Sequence, residues 1–167
     1  MSAWTVRPET EGDEGSIGEV IAAAFADASH TDGDEAALVE RLRAAGDLAL
    51  SLVAEDEEGI IGHIAFSPLT VGGSSEGWMQ LAPLSVVKQW RGEGVARSLI
   101  VRGIAELRER GAGGIGVLGE PALYEKFGFG EAPGMILPAD QQPFYRALVL
   151  HGERPRGEVR YAEGFYP

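Results

Sequence analysis

The stretch Leu84-Ser85-Val86-Val87-Lys88-Gln89-Trp90-Arg91-Gly92-Glu93-Gly94-Val95-Ala96-Arg97-Ser98-Leu99 constrains this chain more than any other. It reads as an apolar strand, a short turn with two glycines, and the first turn of a long helix. Gly92 and Gly94 let the backbone curl tightly with no side chain in the way. A helix starting behind such a curl points its unbonded amide hydrogens and the positive end of its dipole into it. That arrangement favours an anion, most often a phosphate. Basic side chains gather in the same stretch. Lys88, Arg91, Arg97, Arg102, Arg108 and Arg110 stand against Glu93, Glu106 and Glu109, a local balance of +3 in a chain of net charge −12. The expected ligand group is a pyrophosphate.

Three phosphate-binding readings compete for the loop. A P-loop follows its last glycine with Lys-Ser or Lys-Thr, which Ala96-Arg97-Ser98 does not supply. A dinucleotide fingerprint fits poorly, because Arg97 stands where its third small residue belongs. The third reading fits better. Arg91-Gly92-Glu93-Gly94-Val95-Ala96 resembles the Arg/Gln-x-x-Gly-x-Gly/Ala signature of the GNAT superfamily of N-acetyltransferases, which wraps the pyrophosphate of acetyl-coenzyme A.

The resemblance extends from about Trp4 to Phe165. The strand Leu84-Ser85-Val86 stands in the family register, with Val86 five residues before Arg91. Downstream, Leu118-Gly119-Glu120-Pro121, Tyr124 and Phe127-Gly128-Phe129 resemble one bacterial branch of the family. So do Gly62-His63-Ile64-Ala65-Phe66-Ser67-Pro68 and the late pair Tyr161 and Phe165. Two positions depart from the common pattern. Lys88 stands where many members have proline, and Gly119-Glu120-Pro121 replaces a frequent Asn or Ser.

The resemblance implies an α/β fold of mixed α-β-α type. Its central sheet has about six to seven strands, antiparallel except for a splayed parallel pair in the middle that holds the pantetheine arm. It implies acetyl-coenzyme A as donor, held by Leu84, Val86, Arg91, Gly92, Glu93, Gly94, Val95, Ala96 and Arg97, with the two arginines flanking the pyrophosphate. Tyr124 is then the residue beside the coenzyme sulfur, as proton or hydrogen-bond donor. The implied activity is direct acetyl transfer to a primary amine. The alternative is a non-catalytic module that binds or senses acyl-coenzyme A.

Bulk properties set the frame. The 167 residues suit one domain, 1–167, with enough apolar content for a full core. With no cysteine, disulfides, thiolate chemistry and cysteine metal sites are excluded. No basic segment followed by an apolar run opens the chain, and the apolar stretch Val20 to Ala26 is too short for a bilayer. A cytoplasmic location is expected. Residues 1–58 carry 15 acids and 3 bases, which disfavours nucleic acid. The acids from Asp27 to Glu35 read either as a solvated face or as a rim attracting a cationic acceptor. The partners expected are a small-molecule or peptide amine and a second copy of the chain, without nucleic acid or membrane.

Periodicity predicts strands at Trp4–Arg7, Leu48–Ala54, Ile60–Val71, Trp78–Val87, 115–118, Phe129–Ala132 and Phe144–Leu150. Helices are predicted at Glu14–Phe25, Asp34–Ala45, Gly94–Arg110 and 121–127, with Gly46 and Gly111 as stops. For the general base the candidates are His63, Glu76, Glu120 or a water relay. His63 sits in an apolar strand and Glu120 at a helix start, so each also has a structural reading. Gly73-Ser74-Ser75-Glu76-Gly77 satisfies a nucleophile-elbow pattern, but an elbow runs into a helix and Trp78 begins a strand. His30, His63 and His151 lie far apart in sequence, so no metal site is expected.

Overall fold

The computed structural model describes residues 4–26, 33–74 and 77–166. Six strands form the main sheet: β1 (Thr5–Pro8), β2 (Leu50–Asp56), β3 (Gly59–Pro68), β5 (Trp78–Val86), β6 (Gly114–Leu118) and β8 (Tyr145–Val149), side by side in that order. Every neighbouring pair is antiparallel except β5 and β6. The mixed sheet expected from the sequence is borne out.

Alternation along the strands divides the side chains between two faces. Leu52, Ile64, Phe66 and Leu81 point to one side, onto Val95, Leu99 and Ile100 of α3 (Val95–Glu109). Val53 and Ala65 point to the other, onto Ile17 and Ile21 of α1 (Glu14–Phe25) and Val39 of α2 (Glu35–Ala45). Each helix buries a stripe at helical spacing, such as Leu99, Ile100, Gly103, Ile104 and Leu107 in α3. Gly46 and Gly111 both take positive φ, 77° and 82°, where they end α2 and α3.

Three departures from the expected elements have local causes. The run Ile60–Val71 divides into β3 and a two-residue β4 (Thr70–Val71). Pro68, which has no N–H, is the last residue of β3. Phe129–Ala132 does not form a strand; Gly130 makes a single bridge to Ala147 before Pro133. A second sheet, absent from the sequence reading, joins β4, β9 (Gly157–Arg160) and β7 (Met135–Ile136). Its residues Val71, Met135 and Val159 pack with Trp78 and Tyr145 in a separate apolar cluster.

Candidate coenzyme and transfer site

β5 and β6 run together for three residues only, Trp78 to Gln80 against Gly114 to Gly116. Beyond Gln80, β5 keeps its pairing with β3, and beyond Gly116, β6 keeps its pairing with β8. The two strands therefore separate, and among the described residues no strand pairs with Leu81–Val86 on the side facing the gap. The separation coincides with a β-bulge. Phe66 pairs with Leu81 but Ile64 pairs with Leu84, so β5 holds one extra residue at Ala82-Pro83. Bulges bend a strand and increase its twist, and proline inside a sheet is confined to such places.

Tyr145 marks the start of the gap. Its hydroxyl crosses Gly116 and donates to Gln80 Oε1 at 2.9 Å. A Cβ on Gly116 would lie 1.9 Å from that oxygen, so only glycine fits there.

At the far end of β5 comes the glycine loop. Gly92 and Gly94 both take positive φ, 81° and 91°. Gly94 is the N-cap of α3, and the helical ladder begins with Ser98 N–H donating to the Gly94 carbonyl at 3.0 Å. The amides of Val95, Ala96 and Arg97 thus emerge from the helix end, where an anion is favoured. Arg91 to Gly94 are exposed. Trp4 supports the curl from below, 3.9 Å from the Cβ position of Gly94 and edge-on to Trp90 at 5.8 Å.

The cationic cluster read from the sequence is dispersed by the helix. Arg102 donates to the carbonyl of Val6 and Arg110 to that of Ala49, so both serve as ties between α3 and the sheet. Arg110 follows the end of α3, about 22 Å along the axis from its first turn. Arg97 remains at the helix start, its guanidinium 5.7 Å from the centre of the Phe127 ring. Arg91 turns elsewhere. Its Nη2 donates to the carbonyl of Ala24 at 2.6 Å and its Nε to that of Val86 at 3.3 Å, so its side chain does not flank the curl as the sequence suggested.

Tyr124 lies in α4 (Pro121–Glu125), buried in the same core as Val95 and Leu99. Its ring packs against Gly119 and meets Phe129 edge-on at 5.8 Å. Burial pushes its phenol up to about 12, so it stays protonated throughout the neutral range. Among the described residues its hydroxyl has no hydrogen-bond partner.

The base candidates separate clearly. His63 is fully buried on the face covered by α1, and burial pulls its imidazole down to about 4, against the opposing pull of the Glu9 charge. Its Nε2 lies 2.8 Å from Ser51 Oγ, which donates to Glu9 at 2.5 Å. A carboxylate only accepts, so Ser51 spends its proton on Glu9 and His63 donates from Nε2. Burial opposes the Glu9 charge, but Arg43 and Ser51 outweigh it and hold the carboxyl below its usual range. His63 is therefore a neutral core residue. Glu120 is exposed at the N-cap of α4 with no capping bond from its side chain. Ser75 and Glu76 lie outside the described residues, as do Asp27 to Asp32 of the acidic segment. Asp34 of that segment is paired with Arg41 at 2.7 Å. Among the described residues no cluster of three metal-ligating side chains occurs, and no helix is long and apolar enough to cross a membrane.

A glycine curl on a helix start, aligned with an opening between two parallel strands, is the geometry that the signature sequence implied. The chain matches the family model described as an acetyltransferase (GNAT) domain over residues 47–131. The chain belongs to the GNAT family. The GNAT fold is shared with an acetyltransferase of this family from Brucella melitensis, solved in complex with acetyl-coenzyme A. The two superimpose with a TM-score of 0.88 at 37% identity, over 97% of each chain. YhbS from Escherichia coli, solved in complex with coenzyme A, superimposes with a TM-score of 0.92 at 34% identity, over 100% of this chain and 94% of that one. By sequence, the uncharacterized N-acetyltransferase YhbS of Escherichia coli K12 is 49% identical over 96 residues, 57% of this chain. That alignment spans 58% of the relative's length.

In the sequence, the glycine loop and Tyr124 stand as candidates, but the bulge is passed over and the clamp at Gln80 leaves no sign. Pro83 within an apolar strand was the signal for the first. Nothing local to Tyr145 signalled the second.

Proposed function

We propose that this chain is an N-acetyltransferase that moves an acetyl group from acetyl-coenzyme A directly to a primary amine. The observation that carries this reading is the convergence of three parts on one side of the gap: the α3 amides, the unpaired edge of β5, and Tyr124. In this reading the amides from Gly92 to Arg97 receive the pyrophosphate, with Arg97 beside it. The backbone of Leu84 and Val86 pairs with the pantetheine arm as a further strand would. Glu93, Gly94, Val95 and Ala96 shape the curl, and Arg91 contributes to it through its main chain.

Acetyl transfer requires a free amine, a polarised carbonyl and a stabilised leaving thiolate. Tyr124 serves the last. A phenol near 12 is a weaker acid than a thiol near 8.5, so full proton transfer to sulfur is uphill by about three pH units. Tyr124 therefore acts as a hydrogen-bond donor to the developing thiolate. With His63 neutral and enclosed, deprotonation of the amine is left to Glu76, Glu120 or a water relay.

The net acidity of the N-terminal third favours a cationic acceptor, a small primary amine or a peptide bearing lysine or a free N-terminus. A cytoplasmic location suits such substrates. Calorimetric titration with acetyl-coenzyme A and with NAD tests the donor: binding of NAD alone overturns it. An acetylation screen over spermidine, tobramycin, amino acids and peptides, at low and high salt, tests the acceptor. A preference for acidic acceptors, or rates on cationic ones that ignore salt, removes the electrostatic argument. Acetyl-coenzyme A binding with no transfer to any amine supports the sensing module instead.

A further inference from the structure

α1 ends without a cation of its own. Its last turn contains no basic residue, and no lysine or arginine occurs between Arg7 and Arg41. The final carbonyls of a helix carry its negative dipole end and have no partner within the helix. One of them, that of Ala24, receives the Arg91 guanidinium at 2.6 Å from 67 residues away. The same guanidinium reaches the carbonyl of Val86, the last residue of β5, at 3.3 Å. Arg91 thus joins three elements at one point: the coenzyme curl that contains it, the end of the opened strand, and the end of α1. The turn of α1 that it holds, with Ile21, Ala22 and Phe25, forms one wall of a groove of about 270 Å³ against Ala36 of α2. α1 and α3 lie on opposite faces of β5. With the donor on the α3 side of the gap, the α1 side is the one left for the acceptor.

We propose that Arg91 is a positioning residue that couples the two sides, so that occupation of the curl by coenzyme tightens the end of α1 and raises affinity for the acceptor amine. This rests on the donor reading above. A planar guanidinium with separate N–H groups on two carbonyls fixes their spacing, which a flexible lysine does not. Ordering of the curl by an anion then orders the helix end through the same bonds, and linkage makes the effect reciprocal for binding.

Hydrogen exchange on the full chain, with and without coenzyme A, tests the coupling. In the wild type, coenzyme A is expected to slow exchange of the amides at 21–26, and in R91A and R91Q this protection is lost. With acetyl-coenzyme A saturating and the fastest amine of spermidine, tobramycin, lysine and a lysine peptide, R91A is expected to raise the acceptor KM by about tenfold. Its dissociation constant for coenzyme A stays within about threefold, so KM and cofactor affinity part company. A tenfold loss of coenzyme A affinity with unchanged acceptor KM would make Arg91 a pyrophosphate ligand and overturn the proposal. Equal protection in R91A and wild type, or none in a wild type that binds coenzyme A, overturns it as well. If the wild type binds no coenzyme A, the donor reading has failed. The tie itself is then judged by exchange in the free proteins, where R91A must open the end of α1 faster than wild type.

Discussion

Tyr145 and Gln80, 65 residues apart, meet through a buried hydrogen bond of 2.9 Å at the last residue pair that β5 and β6 share. The bond joins an edge strand to β5 across the intervening β6, so it fixes where the sheet is closed and where it opens. Tyr145→Phe should leave the Gln80 amide oxygen buried without its donor, at a cost of about 1–3 kcal/mol. Chemical denaturation measures this, and an unchanged midpoint would show that another group replaces the phenol.

Gly116→Ala is the harsher test of the same place. The new methyl would sit 1.9 Å from the Tyr145 oxygen, within a sheet that cannot shift freely. A loss of about 3 kcal/mol or more is expected, because overpacking has no route of relief here. In Tyr145→Phe the clash is with a hydrogen instead of an oxygen, so the double variant should lose less than the sum of the two.

His63 sets a pH dependence of stability. Its folded pKa, about 4, lies below the unfolded value near 6.5, so the unfolded chain binds more protons between these limits. The stabilising contribution is complete above about pH 6.5 and is lost as pH falls toward 4, by about 3 kcal/mol in all. His63→Gln should flatten the denaturation midpoint over that window. A wild-type midpoint that does not fall between pH 6.5 and 4 would contradict the burial argument.

Tyr124→Phe keeps the ring against Gly119 and Phe129 and removes only the hydroxyl. Turnover is expected to fall by about 10²-fold with little change in acetyl-coenzyme A affinity, as for a group that acts on the transition state alone. Equal turnover in steady-state assays would return Tyr124 to a packing role.

Gly94→Ala places a side chain where φ is 91°. The strain costs about 1–2 kcal/mol, and the α3 amides are expected to lose their aim. A weaker calorimetric affinity for acetyl-coenzyme A, with the fold retained by circular dichroism, is the outcome to look for.

The parts of this fold legible in the sequence are those that depend on near neighbours. Glycine spacing fixed the curl at Gly92 and Gly94, and the apolar stripe from Leu99 to Leu107 fixed α3. β7 and β9 were not legible, because Met135-Ile136 is two residues long and Gly157–Arg160 has one buried side chain to reveal a face. The direction of Arg91 was misread for a different reason. Its partner, Ala24, is a backbone carbonyl, and nothing in the residue type of position 24 advertises it. Charge counted along the chain likewise overstated the anion site, since a helix carries Arg102 and Arg110 away from its own start.

The extra residue in β5 also acts as a change of parity. Gln80 and Ser85 are five positions apart, and in a regular strand an odd separation places side chains on opposite faces. Because Ala82-Pro83 together oppose a single residue of β3, Gln80 faces with Ser67 and Ser85 with His63, all toward α1, while Leu81 and Leu84 both face α3. Losing one codon at position 82 or 83 would leave Gln80 and Ser85 four positions apart, an even separation that a regular strand puts on one face. The facing would be kept and only the bend of the bulge lost. The full-length strand drawn straight would fail instead: with Ala82 and Pro83 each opposite its own residue of β3, Ser85 would turn into the apolar core and Leu84 to the side of His63.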